Sequence, residues 1–174
     1  YPIPFCSADG EGGRLLTSDC TALAAGQAYL VDVEAAGCDI DRTPDGCAAS
    51  TCTQADCDAR EPGSTLGTDE RGCPRCRNYA GETLEAVVGC LVRLGSTGCG
   101  WEQPLVAMVR ALDANPANAG FLRKGALLGV VTATAEDDCS ASDPRLFDAS
   151  DPTVDSELGA YDEFRCFEFG VTCQ

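Results

Sequence analysis

The residue types best suited to chemistry gather between Glu136 and Ser142. Glu136, Asp137 and Asp138 put three carboxylates in a row, and Asp138-Cys-Ser140-Ala-Ser142 spells Asp-x-Ser-x-Ser. A carboxylate and two hydroxyls are hard oxygen donors, the kind that hold Mg²⁺ or Ca²⁺ and leave one coordination position for a partner's carboxylate. Two features weaken that reading. Four residues, Thr134 to Asp137, separate Asp138 from the apolar run before it, and the following Asp143-Pro-Arg-Leu-Phe does not read as a long helix. The plainer reading of the same acids is a solvated loop.

Cys73-Pro-Arg-Cys76 has the spacing of a redox dithiol, which needs a helix start to lower a thiol pKa. No strand precedes it, so structural bridging is the expected role. The chain holds no histidine, which removes Ser-His and Cys-His nucleophile pairs, and no Gly-x-Ser-x-Gly elbow occurs. Asp39-Ile-Asp41 with Asp45-Gly46 has calcium-loop residue types without the alternating ligands and closing Glu of an EF-hand. Solvated turns are expected there, and catalysis is not expected anywhere.

Composition sets the compartment. Thirteen cysteines and no histidine in 174 residues would require four thiolates for a zinc site, normally two CxxC pairs, and only one CxxC exists. Disulfides in an oxidising compartment follow. The odd count leaves one thiol free, or one cysteine bonded to another segment or chain. A formal charge of −16 repels phosphate backbones and anionic lipid, so nucleic acid is excluded as an expected partner. No apolar run of about 18 residues marks a membrane span, and no charged-then-apolar leader is present, as if a leader had been removed.

The elements that would position these residues read as follows. The cysteine-rich stretch 1–80 looks loop-dominated and disulfide-stapled, with Ala28 to Val33 as its clear strand. From Gly81, Leu84, Val87, Val88, Leu91 and Val92 recur at helical spacing and predict a core-facing helix. Cys90 and Cys99 then form the best disulfide candidate, pinning the helix end to the turn after it. A second helix opens at Pro104, with Leu105, Met108, Val109 and Leu112 inward, and stops at Asn115-Pro116. Ala126 to Thr134 is an unbroken apolar and β-branched run, the pattern of a central strand buried on both faces of a parallel sheet. A short helix near Tyr161 to Phe169 would be tied by Cys166 or Cys173. The expected fold class is α/β, with a helix-helix-strand core over 81–174.

Gly72-Cys-Pro-Arg-Cys-Arg-Asn78, Gly98-Cys-Gly-Trp-Glu-Gln-Pro-Leu105, Asn118-Ala-Gly-Phe-Leu-Arg123, Glu136-Asp-Asp-Cys-Ser140 and Phe164-Arg-Cys-Phe-Glu-Phe-Gly170 together resemble the cysteine-rich von Willebrand factor type A-like proteins, often lipoproteins, of myxobacteria and related deltaproteobacteria. The resemblance implies a Rossmann-like sandwich. It also implies export to the extracellular space, outer-membrane surface or periplasm, and adhesion or protein binding as part of a surface assembly. It places the family's metal-binding Asp-x-Ser-x-Ser before Tyr1, making this chain a partial domain. Ala135 falls where the family has a metal-site Asp, and Thr97 near the site's threonine, so the adhesion site would be degenerate and no cofactor required. A divalent-cation-dependent ligand-binding domain using Glu136, Asp137 and Asp138 is the alternative, with Ca²⁺ or Mg²⁺ as its ion.

Overall fold

The computed structural model describes residues 12–17, 20–95, 101–135, 137–141, 143–148, 150 and 157–170. It divides into two compact units, Leu16–Leu94 and Gly95–Gln174 together with Tyr1–Leu15. Helices are mixed with small antiparallel sheets, an α/β composition in the broad sense.

All five described strands fall in the Leu16–Leu94 unit: β1 (Asp32–Glu34), β2 (Ile40–Thr43), β3 (Gly46–Ser50), β4 (Thr65–Thr68) and β5 (Pro74–Arg77). They add four short strands to the one expected over 1–80, whose last residues, Asp32 and Val33, fall in β1. The strands are three to five residues long and carry Gly, Thr, Cys and charge, so no hydrophobic alternation announces them. β5 lies between β1 and β4, antiparallel to both. The turn from β4 into β5 is closed by Asp69, whose Oδ1 accepts the N–H groups of Arg71 and Cys73, each at 2.9 Å. An aspartate side chain that mimics a backbone turn in this way selects the hairpin locally.

The two faces of β5 differ because successive side chains alternate. Cys76 points to the side covered by α1 (Gln54–Arg60) and is bonded to Cys57 of that helix. Ala35, Cys57 and Cys76 form a buried cluster there, with Val33 and Leu66 packed against it. Helix α1 starts where the Asp56 carboxylate accepts both the N–H and the hydroxyl of Thr53, at 2.7 and 2.8 Å, an N-terminal capping exchange. The β2-β3 hairpin is closed by Cys38–Cys52 and held to the Asp69 turn by Cys47–Cys73. Gly46 sits so close to that turn that a Cβ would lie 2.2 Å from the Arg71 carbonyl oxygen. Only glycine fits.

Helix α2 (Leu84–Leu91) forms where its periodicity predicts, with Thr83 capping it by accepting the Ala86 N–H at 3.2 Å. Its contacts group it with the cysteine-rich unit. Val87 packs with Cys20 and Tyr79 in a buried cluster. The expected Cys90–Cys99 bridge is corrected: Cys90 bonds Cys20, 70 residues upstream, and Cys99 lies outside the described residues. Spacing favours a near neighbour, but the helix face that buries Val87 also brings Cys90 over the segment at Cys20. Val87 alone of the predicted apolar set is fully buried, whereas Leu84, Val88 and Val92 are exposed.

The second unit contains α3 (Pro104–Leu112), 3₁₀ turns at Pro116–Asn118 and Pro144–Phe147, and α4 (Glu163–Phe169). Asn118 ends α3 and anchors the described N-terminal segment. It is buried, donates to the carbonyls of Gly13 and Ala111 at 2.8 and 3.0 Å, and accepts the Leu15 N–H at 2.9 Å. The expected central strand does not form. Ala126 to Thr134 is irregular and exposed throughout, because among the described residues no neighbouring strand pairs with it. Both described sheets are antiparallel and lie in the other unit, so the described residues do not assemble the parallel sheet of a Rossmann-like sandwich.

Candidate interaction surface

The acidic string that invited a metal is used to start a helix. Asp138 Oδ2 accepts the Leu105 N–H and Ser140 Oγ accepts the Val106 N–H, both at 2.9 Å. Asp138 Oδ1 accepts the Ser140 N–H at 2.6 Å, and the Cys139 N–H donates to the Glu102 carbonyl at 2.7 Å. Gln103, the residue before α3, supplies no capping side chain of its own. The loop 33 residues downstream therefore satisfies N–H groups that a helix start leaves unpaired, and its carboxylate meets the positive end of the helix dipole. Burial alone would raise the Asp138 pKa, yet the donors of Ser140 and Leu105 outweigh it and hold the group below the usual carboxylate range. Asp137 is exposed, and Glu136 and Thr97 lie outside the described residues. Among the described residues no group of three Cys, Asp or Glu side chains is arranged to hold a metal.

Beneath this loop the unit has an aromatic centre. Trp101 packs edge-on against Phe147 and Tyr161, with ring centroids 5.1 and 4.6 Å away. Cys139–Cys166 joins the acidic loop to α4 beside it. Arg165 is buried, lies over the Tyr161 ring, and donates to the carbonyls of Asp148, Gly159 and Ala160. Cys139 and Cys166 thus hold each other, and Cys173 lies outside the described residues.

The apolar residues left outside this centre are the notable feature. No residue of α3 is fully buried, and Leu105 and Val109, expected inward, are exposed. Phe164 and Phe167 of α4 stack edge to face at 6.4 Å on the outside of the helix. Every residue from Leu122 to Ala135 is exposed, and Leu127 and Val131 are as open as in an extended chain, at 102% and 95%. Soluble monomers rarely leave large apolar side chains bare in such concentration, and where they do the surface usually meets a partner.

Cys73 and Cys76 are not a dithiol: Cys73 is bonded to Cys47 and Cys76 to Cys57. Their strand instead builds a charge cluster that sequence reading missed. Asp32, its side chain only 5% exposed, receives Arg75 Nε at 2.5 Å, Arg77 Nε at 3.1 Å and the Tyr79 hydroxyl. Burial works against the Asp32 carboxylate, but these donors together hold its pKa below the usual value. Burial and the Asp32 hydrogen bond push the Tyr79 phenol up to about 12. The alternation Arg75-Cys-Arg77 was the available signal, since a buried Cys at the middle position sends both arginines to the opposite face.

Compared with protein-family models, curated proteins and solved structures, the chain matches none.

Proposed function

We propose that this chain is an exported, non-catalytic domain that acts by protein-protein contact, in adhesion or within a surface assembly. The bare apolar run from Leu122 to Ala135 carries the proposal, because an exposed stretch holding Leu127, Leu128, Val130 and Val131 costs solubility unless something covers it. Five disulfides among the described residues, and no described helix long and apolar enough to cross a membrane, fit an extracellular or secreted protein. Membership of the cysteine-rich type A-like family is part of the proposal and rests on the quoted segments. Replacing Val131 by a photo-crosslinking amino acid in the producing cells tests it. A discrete adduct at 131, not seen with the probe at Asp113, is expected; equal labelling at both positions would overturn the reading.

A further inference from the structure

We propose that the groove over the open face of the β1-β5-β4 sheet binds a small zwitterion, a molecule that carries both a carboxylate and a primary ammonium group, as free amino acids do. The inference goes beyond the contact role of the apolar run and does not depend on it.

The sheet has one covered face and one open one. Cross-strand partners share a face, so the register sets Asp32 and Glu34 of β1 beside Arg77 and Arg75, and Thr65 and Gly67 of β4 beside the same two arginines. The opposite face carries Val33, Cys76 and Leu66 and packs with Cys57 of α1. On the arginine face a Cβ added to Gly67 would meet nothing within 4 Å. A groove of about 530 Å³ lies here, bordered by Thr83 and Leu84 at the start of α2, and small-molecule sites commonly measure about 300–1,000 Å³.

The floor of the groove keeps open donors. Arg75 gives Nε and Nη2 to the Asp32 carboxylate and carbonyl, while Arg77 gives Nε to the same carboxylate and Nη1 to the Thr68 carbonyl. Both side chains are three-quarters buried or more. Even so, Arg75 Nη1 and Arg77 Nη2 make no hydrogen bond to a described residue. Two guanidiniums against one carboxylate leave a positive excess, and their bonds to Asp32 and Thr68 fix both side chains before a ligand arrives, which lowers the entropy lost on binding. A ligand carboxylate is the group that such donors suit.

The rim disfavours a simple anion. Exposed Glu70 and Glu82 line the same groove and form no ion pair with a described residue. Asp69 is engaged by the N–H groups of Arg71 and Cys73. With three arginines and four acids around one groove, and a chain charge of −16, an anion is repelled at long range. A ligand of zero net charge escapes that repulsion. It can set its carboxylate on the open N–H groups of Arg75 and Arg77 and its ammonium among the glutamates, so that charges of both signs that do not reach each other are bridged.

Titration of the isotope-labelled full chain with the amino acids glycine, β-alanine and γ-aminobutyrate, followed by amide NMR, tests this, because the series varies the distance between the two charged groups. At least one of them is expected to shift the Arg75, Arg77 and Glu82 signals to saturation, with a dissociation constant of about 1 mM for so few atoms. Acetate and methylammonium, which carry one group each, should bind about tenfold more weakly or less tightly still. The Glu70 and Glu82 side chains make no hydrogen bond to a described residue, so E70Q/E82Q should stay folded; it should weaken the zwitterion about tenfold without weakening acetate. Arg77→Lys, which keeps a positive charge for Asp32, should weaken both. Acetate bound as tightly as the amino acids, zwitterion binding unchanged in E70Q/E82Q, or no saturable shift at these residues with any of the three would overturn the proposal.

Discussion

The two units keep their shape by different means. In Leu16–Leu94, four disulfides tie α1 to β5, β3 to the Asp69 turn, α2 to the segment at Cys20 and the two ends of the β2-β3 hairpin to each other, and the buried clusters are small, with cysteines as half of their buried residues. In the unit from Gly95 onward, one described disulfide accompanies a Trp-Phe-Tyr centre, and many of the large aliphatic side chains stay outside it. Cross-links let the first unit hold short polar strands that burial alone would not support. The second has apolar residues to spare, and it spends them on its surface.

Reduction should break this contrast most strongly. Each disulfide typically contributes about 2–4 kcal/mol, so reductant is expected to abolish amide-exchange protection in β1, β4 and β5 before it quenches the ordered near-ultraviolet signal of Trp101. Protection in these strands that survives full reduction would mean that the small core suffices. The reverse perturbation is Trp101→Ala, which should cost about 3–5 kcal/mol and be confined to the second unit, as read by exchange protection that persists in β5.

Within the first unit, Asp32→Ala leaves Arg75 and Arg77 without their shared carboxylate and should destabilise by about 2 kcal/mol, the two arginines being partly solvated. Because the folded pKa of Asp32 is lowered from 3.8, its contribution is complete above that value and disappears as pH falls through the folded one. Tyr79 works in the other direction. Its contribution is complete below pH 10.0 and is lost as pH rises through about 12. As pH is lowered from 5 to 2, urea midpoints should therefore fall more steeply for the wild type than for Asp32→Asn.

The smallest expected effect sharpens the reading of the acidic loop. Asp138→Ala should cost about 1 kcal/mol, the worth of a lost helix cap, by the same amount with Ca²⁺, with Mg²⁺ or with chelator. A cation that raises the melting temperature of the wild type and not of the variant would restore the metal-dependent alternative.

What could be read from the sequence divides along the same line. Helices α2 and α3 were legible because Leu84 to Leu91 and Pro104 to Leu112 carry helical periodicity and proper start signals. Which of their faces is buried was not, since periodicity says that one face is apolar and not that anything lies against it. The disulfide-rich character of the first unit was plain in the cysteine count. Its sheet was hidden, because Thr65 to Thr68 and Pro74 to Arg77 are held by turn chemistry at Asp69 and by Cys57–Cys76 rather than by alternating apolar residues. The run at 126–134 misled for a related reason. An uninterrupted apolar stretch shows what a segment would gain from being covered, and the cover has to come from somewhere else in the structure or from a partner. The role of Asp138 and Ser140 as a cap for a helix 33 residues upstream leaves no local trace in sequence.

Peptide mapping under non-reducing conditions tests most directly whether sulfur bonds between distant elements organise the first unit. Linked peptides are expected for Cys20–Cys90, Cys38–Cys52, Cys47–Cys73 and Cys57–Cys76, with Cys139–Cys166 in the second unit. A Cys73–Cys76 or Cys90–Cys99 bond, or free thiols at Cys47 and Cys57, would contradict the account.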